Sequence, residues 1–169
     1  MLQKYIILQY LPLTLFVWLI RFQYDWPMIF IVAGTSALLF LFVLWKQKNI
    51  IDRFVLAIYL FLIGGAVMFI GNVGWLQAVY EYFDKAMLLL WLFFVGIIST
   101  IITPQGFIGV ESIDKRKQKS YSYYLLIATM IGLIWAFYRR ENIFLAGMVP
   151  FLALRLLQII LRSLLKNQA

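Results

Sequence analysis

The chain is predicted to be an all-α membrane protein, a polytopic bundle of six spans. Three observations predict it. First, 64% of its 169 residues are hydrophobic and only 13% are charged, against roughly 45–50% and about 25% in soluble domains. Second, apolar runs close to the roughly 20 residues that cross a bilayer recur along the chain. Third, its basic residues gather in alternate connections between those runs. No water-soluble core could hide this much apolar surface, so the bilayer must solvate most of it.

The first predicted span is Tyr5–Ile20, stopped by Arg21. It has a thin basic flank at Lys4, no small-residue cleavage site, and further apolar runs after it, so it reads as a span and not as a cleaved signal. The second is Trp26–Trp45, with Pro27 in its first turn, where a missing N–H is harmless. Lys46 and Lys48 end it. The third is Phe54–Ile70, the fourth Ala86–Ile102 with Pro104 just beyond, and the fifth Tyr121–Tyr138 ended by Arg139 and Arg140. The sixth covers residues 143–165. An alternative has five spans, with this last segment lying along the membrane surface.

Residues 71–85 place Leu76, Val79, Tyr80 and Phe83 at helical spacing, opposite Gln77, Glu81 and Asp84. That pattern predicts a short amphipathic helix in the interface. Residues 104–120 are polar and basic, and read as an exposed cytoplasmic loop.

Charge orients the bundle. With six spans and a cytoplasmic N-terminus, ten basic residues lie inside: Lys4, Lys46, Lys48, Arg53, Lys115, Arg116, Lys117, Lys119, Arg162 and Lys166. Four lie outside: Arg21, Lys85, Arg139 and Arg140. Five spans would give eight inside and seven outside. The positive-inside rule favours six spans with both ends cytoplasmic. Tyr and Trp residues fall into two belts under this topology, while Trp91 and Tyr59 fall deeper, between helices.

The sixth segment must then carry Arg155 through the bilayer. Residues 143–165 hold fourteen Leu, Ile, Phe or Val, together about −4 to −8 kcal/mol on the insertion scale. A central Arg costs roughly 2.5–3.5 kcal/mol. Arg162 lies nearer the end and can snorkel.

Composition also excludes chemistry. There is no cysteine and no histidine, which removes disulfides, thiolate sites, the usual metal ligand and the usual general base. The sequence points to no enzyme and no cofactor. The net charge of +8 fits anionic headgroups on the cytoplasmic side, and no basic soluble module is present to bind nucleic acid. Membrane lipids are the expected partners, with other membrane proteins or further copies of the chain beside them. Arg155, Gln158 and Arg162 follow i, i+3, i+7 spacing, with Lys166 extending the row. They form the candidate contact for an anionic lipid or substrate; the competing reading is an amphipathic face that snorkels to the interface. Gly64, Gly65, Gly71 and Asn72 mark a candidate for close helix packing or a bend.

"YLPLTLF" at 10–16, Tyr24-Asp25, and "GGAVMFIGN" at 64–72 ahead of an aromatic-rich connection carry a further likeness. Over residues 9–100 the chain resembles the intracellular septation protein A family of bacterial inner-membrane proteins. It departs from that pattern in lacking a histidine beside Asn72. The resemblance implies a bacterial cytoplasmic membrane and a scaffold for envelope maintenance or division, acting through protein contacts. Two alternatives stand beside it: a small oligomeric transporter or channel for an anionic or neutral solute, and a membrane immunity protein against a pore-forming toxin.

The topology is open to direct measurement, because the chain has no native cysteine. A cysteine at Ser112 or at Asn167 is expected to react with an impermeant maleimide only from the cytoplasmic side. Labelling of either from outside would exclude the six-span arrangement.

Overall fold

The structure, a computed structural model, describes residues 9–46, 51–110, 114–139, 141–142 and 144–166. Its regular elements are helices: α1 (Leu11–Arg21), α2 (Trp26–Lys46), α3 (Arg53–Gly71), α4 (Gly74–Phe83), α5 (Met87–Ile102), α6 (Lys115–Tyr138) and α7 (Val149–Lys166). A 3₁₀ turn at Asp84–Ala86 joins α4 to α5, and a π-helical turn at Phe144–Met148 precedes α7. Among the described residues there is no strand. The fold is all-α, as composition and periodicity predict.

Five helical runs are long and apolar enough to cross a membrane: Trp26–Lys46, Arg53–Gly71, Gly74–Ile102, Lys115–Tyr138 and Leu145–Leu165. At 1.5 Å per residue, about 20 residues cover the roughly 30 Å hydrocarbon layer. The last segment, with its two arginines, therefore qualifies as a span by length and composition. The first predicted span is represented by α1, whose 11 residues cover only about 16 Å. Its predicted first residues, Tyr5 to Leu8, lie outside the described residues.

The boundaries have local causes. Asp52 caps α3 by accepting from the Phe54 N–H at 2.9 Å. Asn72, at φ 47°, ends the same helix in the left-handed conformation. Thr103 is extended ahead of Pro104, which disfavours helical geometry in the residue before it. The predicted amphipathic helix is present as α4. Tyr80 is buried and Leu76, Val79 and Phe83 are half-buried, while Gln77, Glu81 and Asp84 are exposed.

The chain divides into two compact units, Met1–Tyr82 and Phe83–Ala169. In the first unit the most extensive packing joins α2 to α3, and small residues make it close. A Cβ added at Gly65 would lie 2.1 Å from the Phe30 ring, and one added at Gly34 would lie 2.5 Å from the Ala66 Cβ. Phe30 is the hub of an aromatic cluster, with ring centroids 5.3 Å from Phe16, 5.4 Å from Phe61 and 6.0 Å from Tyr80. Hydroxyls inside this unit are partnered. Tyr80 donates to the Phe61 carbonyl at 2.7 Å, and the fully buried Tyr59 donates to the Gln9 carbonyl at 2.9 Å. The predicted deep position of Tyr59 is thus the observed one.

Of the four residues read as packing or bend positions, Gly65 is the packing contact and Asn72 the left-handed cap. Gly64 is half-exposed, and Gly71 sits in the exposed last turn of α3. Gly34, which the sequence reading did not single out, is the second close-approach position.

The second unit joins α5, α6 and α7, with α6 packing against both neighbours. Its helices reverse the soluble pattern. On α7, Leu152, Leu156, Ile159, Ile160 and Leu164 are exposed while Gln158 is fully buried. On α6, Ile127, Met130, Ile131 and Ile134 are exposed while Gln118, Ser122 and Thr129 are buried. Apolar side chains lose nothing by facing lipid, and polar ones must find partners inside.

The Gly65 contact gives the first stability expectation. Gly65→Ala forces the Phe30 ring to move, an overpacking cost of about 1–3 kcal/mol, and should lower the detergent-solubilised melting temperature. Nothing lies within 4 Å of a Cβ at Gly74, so Gly74→Ala should leave it unchanged or raise it slightly. Equal effects at the two positions would contradict the packing described.

Candidate functional site

The connection after α5 was predicted to be an exposed basic loop over residues 104–120. The structure divides that stretch in two. Lys115–Ser120 form the first turns of α6, which Asp114 caps by accepting from the Arg116 and Lys117 N–H groups at 3.1 Å. A favourable cap and a basic helical start move the boundary N-terminal to the polar–apolar switch at Tyr121. Within Pro104–Val110 the middle instead turns inward: Gly106 is buried, and Phe107 and Ile108 have no exposed surface. Both are apolar and flanked by glycines, and burying them outweighs leaving this part of the connection in water.

Three helices receive the inserted turn. From α5, Gly96 lies under the Phe107 ring; a Cβ there would meet Phe107 Cε1 at 2.8 Å. From α6, Gln118 Nε2 donates to the Pro104 carbonyl at 2.6 Å, and Ser122 Oγ accepts from the Ile108 N–H at 3.4 Å. From α7, Gln158 Nε2 and Arg162 Nε both donate to the Ile108 carbonyl, at 3.3 and 2.7 Å. Arg155 donates to Gln158 Oε1, which fixes the orientation of that amide. Gly106 takes φ +60°, and a Cβ there would lie 2.4 Å from Ser122 Oγ. Only glycine combines that dihedral with that approach.

The three residues singled out on α7 are therefore brought together. Gln158 is fully buried, while Arg155 and Arg162 are half-buried. Two of them converge on one backbone carbonyl of a buried turn, which needs a partner in a setting away from water. A cation is an effective one, because hydrogen bonds to charged groups are the stronger class. The side chain of Lys166 is outside what the structure describes.

Several residues of this site were not singled out from the sequence: Gln118, Ser122, Gly106 and the Phe107-Ile108 pair. Two signals could have found them. An apolar dipeptide between glycines is out of place in an exposed loop. The Gln118, Ser122, Leu125, Thr129 series recurs on one helix face, and polar residues inside a span turn inward.

Beside the inserted turn lies a cleft of about 370 Å³ lined by Thr100, Ile101, Ile102, Thr103, Pro104, Gly106, Lys115, Gln118, Lys119 and Ser122. Thr100 Oγ1 donates to the Gly96 carbonyl and Thr103 Oγ1 to the Ser99 carbonyl, each at 2.7 Å. Among the described residues no group of three carboxylates is placed to hold a metal ion.

Comparison with protein-family models, with curated proteins and with solved structures finds no match to this chain. The site therefore has to be read from its own geometry.

That geometry is checked by ranking variants. Arg162→Ala removes a charge-assisted bond and weakens the hold on the Ile108 carbonyl, an expected cost of about 1.5–3 kcal/mol. Gln158→Ala removes a buried partner at about 1–3 kcal/mol. Arg155 holds the Gln158 amide and does not itself donate the bonds to the Ile108 carbonyl described above, so Arg155→Ala should cost less than either. Melting temperatures in detergent should follow that order, and protease cleavage between residues 104 and 114 should rise in the first two. Arg155→Ala as the most destabilising of the three would overturn the assignment.

Proposed function

We propose that this is a non-enzymatic integral membrane protein that acts through helix and lipid contacts. One observation carries the reading. The three polar residues singled out on α7, the chain's candidate for a substrate path, are turned onto protein groups: Gln158 and Arg162 onto the Ile108 backbone carbonyl, Arg155 onto the Gln158 side-chain amide. A transport site would aim such groups at a passing solute, and intramembrane charge earns that default only when it is not already committed. Here the groups lock a turn between three helices. The likeness of residues 9–100 to the septation protein A family fits a scaffold in a bacterial cytoplasmic membrane, concerned with the envelope or with division. Anionic headgroups would meet the basic end of the second unit, where Lys115, Arg116, Lys117 and Lys119 are exposed.

The competing transporter reading separates cleanly. Purified protein in sealed liposomes is expected to pass chloride, phosphate and glycerol no faster than empty liposomes do. Flux above that background that Arg155→Ala abolishes would replace the scaffold reading with a carrier or channel.

A further inference from the structure

The cleft at the junction of α5 and α6 has a composition that the scaffold reading does not use. Its rim carries Lys115 and Lys119, four residues apart and so on one face of α6. Both are exposed. Among the described residues neither takes part in an ion pair, whereas Lys117 lies 3.8 Å from Asp114. Asp114 also accepts from two backbone N–H groups. The carboxylate at this helix start is thus engaged by the cap and by Lys117, and Asp114 is not among the residues that line the cleft.

Its floor is polar, from Thr100, Thr103 and Ser122, but the threonine protons go to helix carbonyls. Positive charge on the rim is therefore the main attraction the cleft offers. Its lip is apolar. Ile101 and Ile102, in the last turn of α5, are 76% and 73% exposed. A soluble anion has no use for that lip. A molecule with a phosphate at one end and a hydrocarbon chain at the other uses both, because headgroup and chain meet at the same depth as a span end. A volume of about 370 Å³ lies within the roughly 300–1,000 Å³ of small-molecule sites.

We propose that this cleft holds the phosphate of an anionic phospholipid between Lys115 and Lys119, with an acyl chain lying along Ile101 and Ile102. The site rests on the lipid-contact reading above and gives it a place. It also differs from the place the sequence suggests, since Gln158 and Arg162 serve the inserted turn.

The full chain, extracted from nanodiscs of equal phosphatidylglycerol and phosphatidylcholine, tests this by native mass spectrometry of the retained lipid. The wild type should retain phosphatidylglycerol preferentially. A lysine near an anionic surface contributes about fivefold. The double variant K115Q/K119Q should therefore lose the preference by at least fivefold. The charge-matched R116Q/K117Q should keep it within twofold. Thr103→Trp fills the cleft and leaves the charges, and should lose it as well. Equal losses in the two double variants would reduce the site to general surface charge and overturn the proposal, as would a preference that survives K115Q/K119Q. Displacement of the lipid by millimolar inorganic phosphate would assign the cleft to a soluble anion instead. Solute flux in the liposome assay would sink the scaffold reading with this lipid preference intact, so the two failures are distinguishable.

Discussion

A backbone carbonyl buried away from water must be given a partner, and in the second unit that demand falls at Ile108. Its oxygen accepts from Gln158 and Arg162, and its own N–H goes to Ser122. Much of the unit's polar interior follows from this. Phe107 and Ile108 enter the core because they are apolar and flanked by glycines, and their peptide groups enter with them. The helices then supply donors and acceptors at matching heights: Gln118 and Ser122 from α6, Gln158 and Arg162 from α7. Gly96 and Gly106 make the space. Arginine within a span is costly when it faces lipid. Here one of the two is engaged on a carbonyl and the other on a neighbouring amide, which offsets part of that cost.

The first unit meets the same solvent by a different route. It has few buried polar groups, and its helices approach through missing side chains. Phe30 fits over Gly65, and Gly34 fits against Ala66 and the Leu62 carbonyl. Between apolar helices in lipid there is little hydrophobic drive to associate, so close van der Waals contact is what remains. The aromatic cluster around Phe30 extends that contact area and takes in Tyr80 of α4, whose hydroxyl binds the Phe61 carbonyl.

The spans were legible because their signals are local. Hydrophobic run length and terminating residues set α2 and α3 to within a residue of their observed ends. α4 showed its inward face through helical spacing alone. α6 starts six residues ahead of the apolar run at Tyr121, because the polar residues Lys115–Ser120 are helical and carry no hydrophobic signal of it. A helix needs a cap and a compatible backbone, and Asp114 supplies the first. The α7 row of Arg155, Gln158 and Arg162 was legible as a constellation but not as a device. Spacing tells which residues share a face and not what that face meets.

Composition and periodicity alone determined an all-α membrane protein, the places where most of its spans run, and the few polar residues those spans must accommodate. These follow from transfer free energies and chain geometry, which depend on a residue and its near neighbours. Tertiary structure decided that residues 106–108 are buried, that Gln158 and Arg162 close on Ile108, and that Lys115 and Lys119 border a cleft with an apolar lip. Each of these joins residues on different elements, up to 54 apart for Arg162 and Ile108. Contacts at that separation depend on which helix faces meet, and no local pattern encodes them.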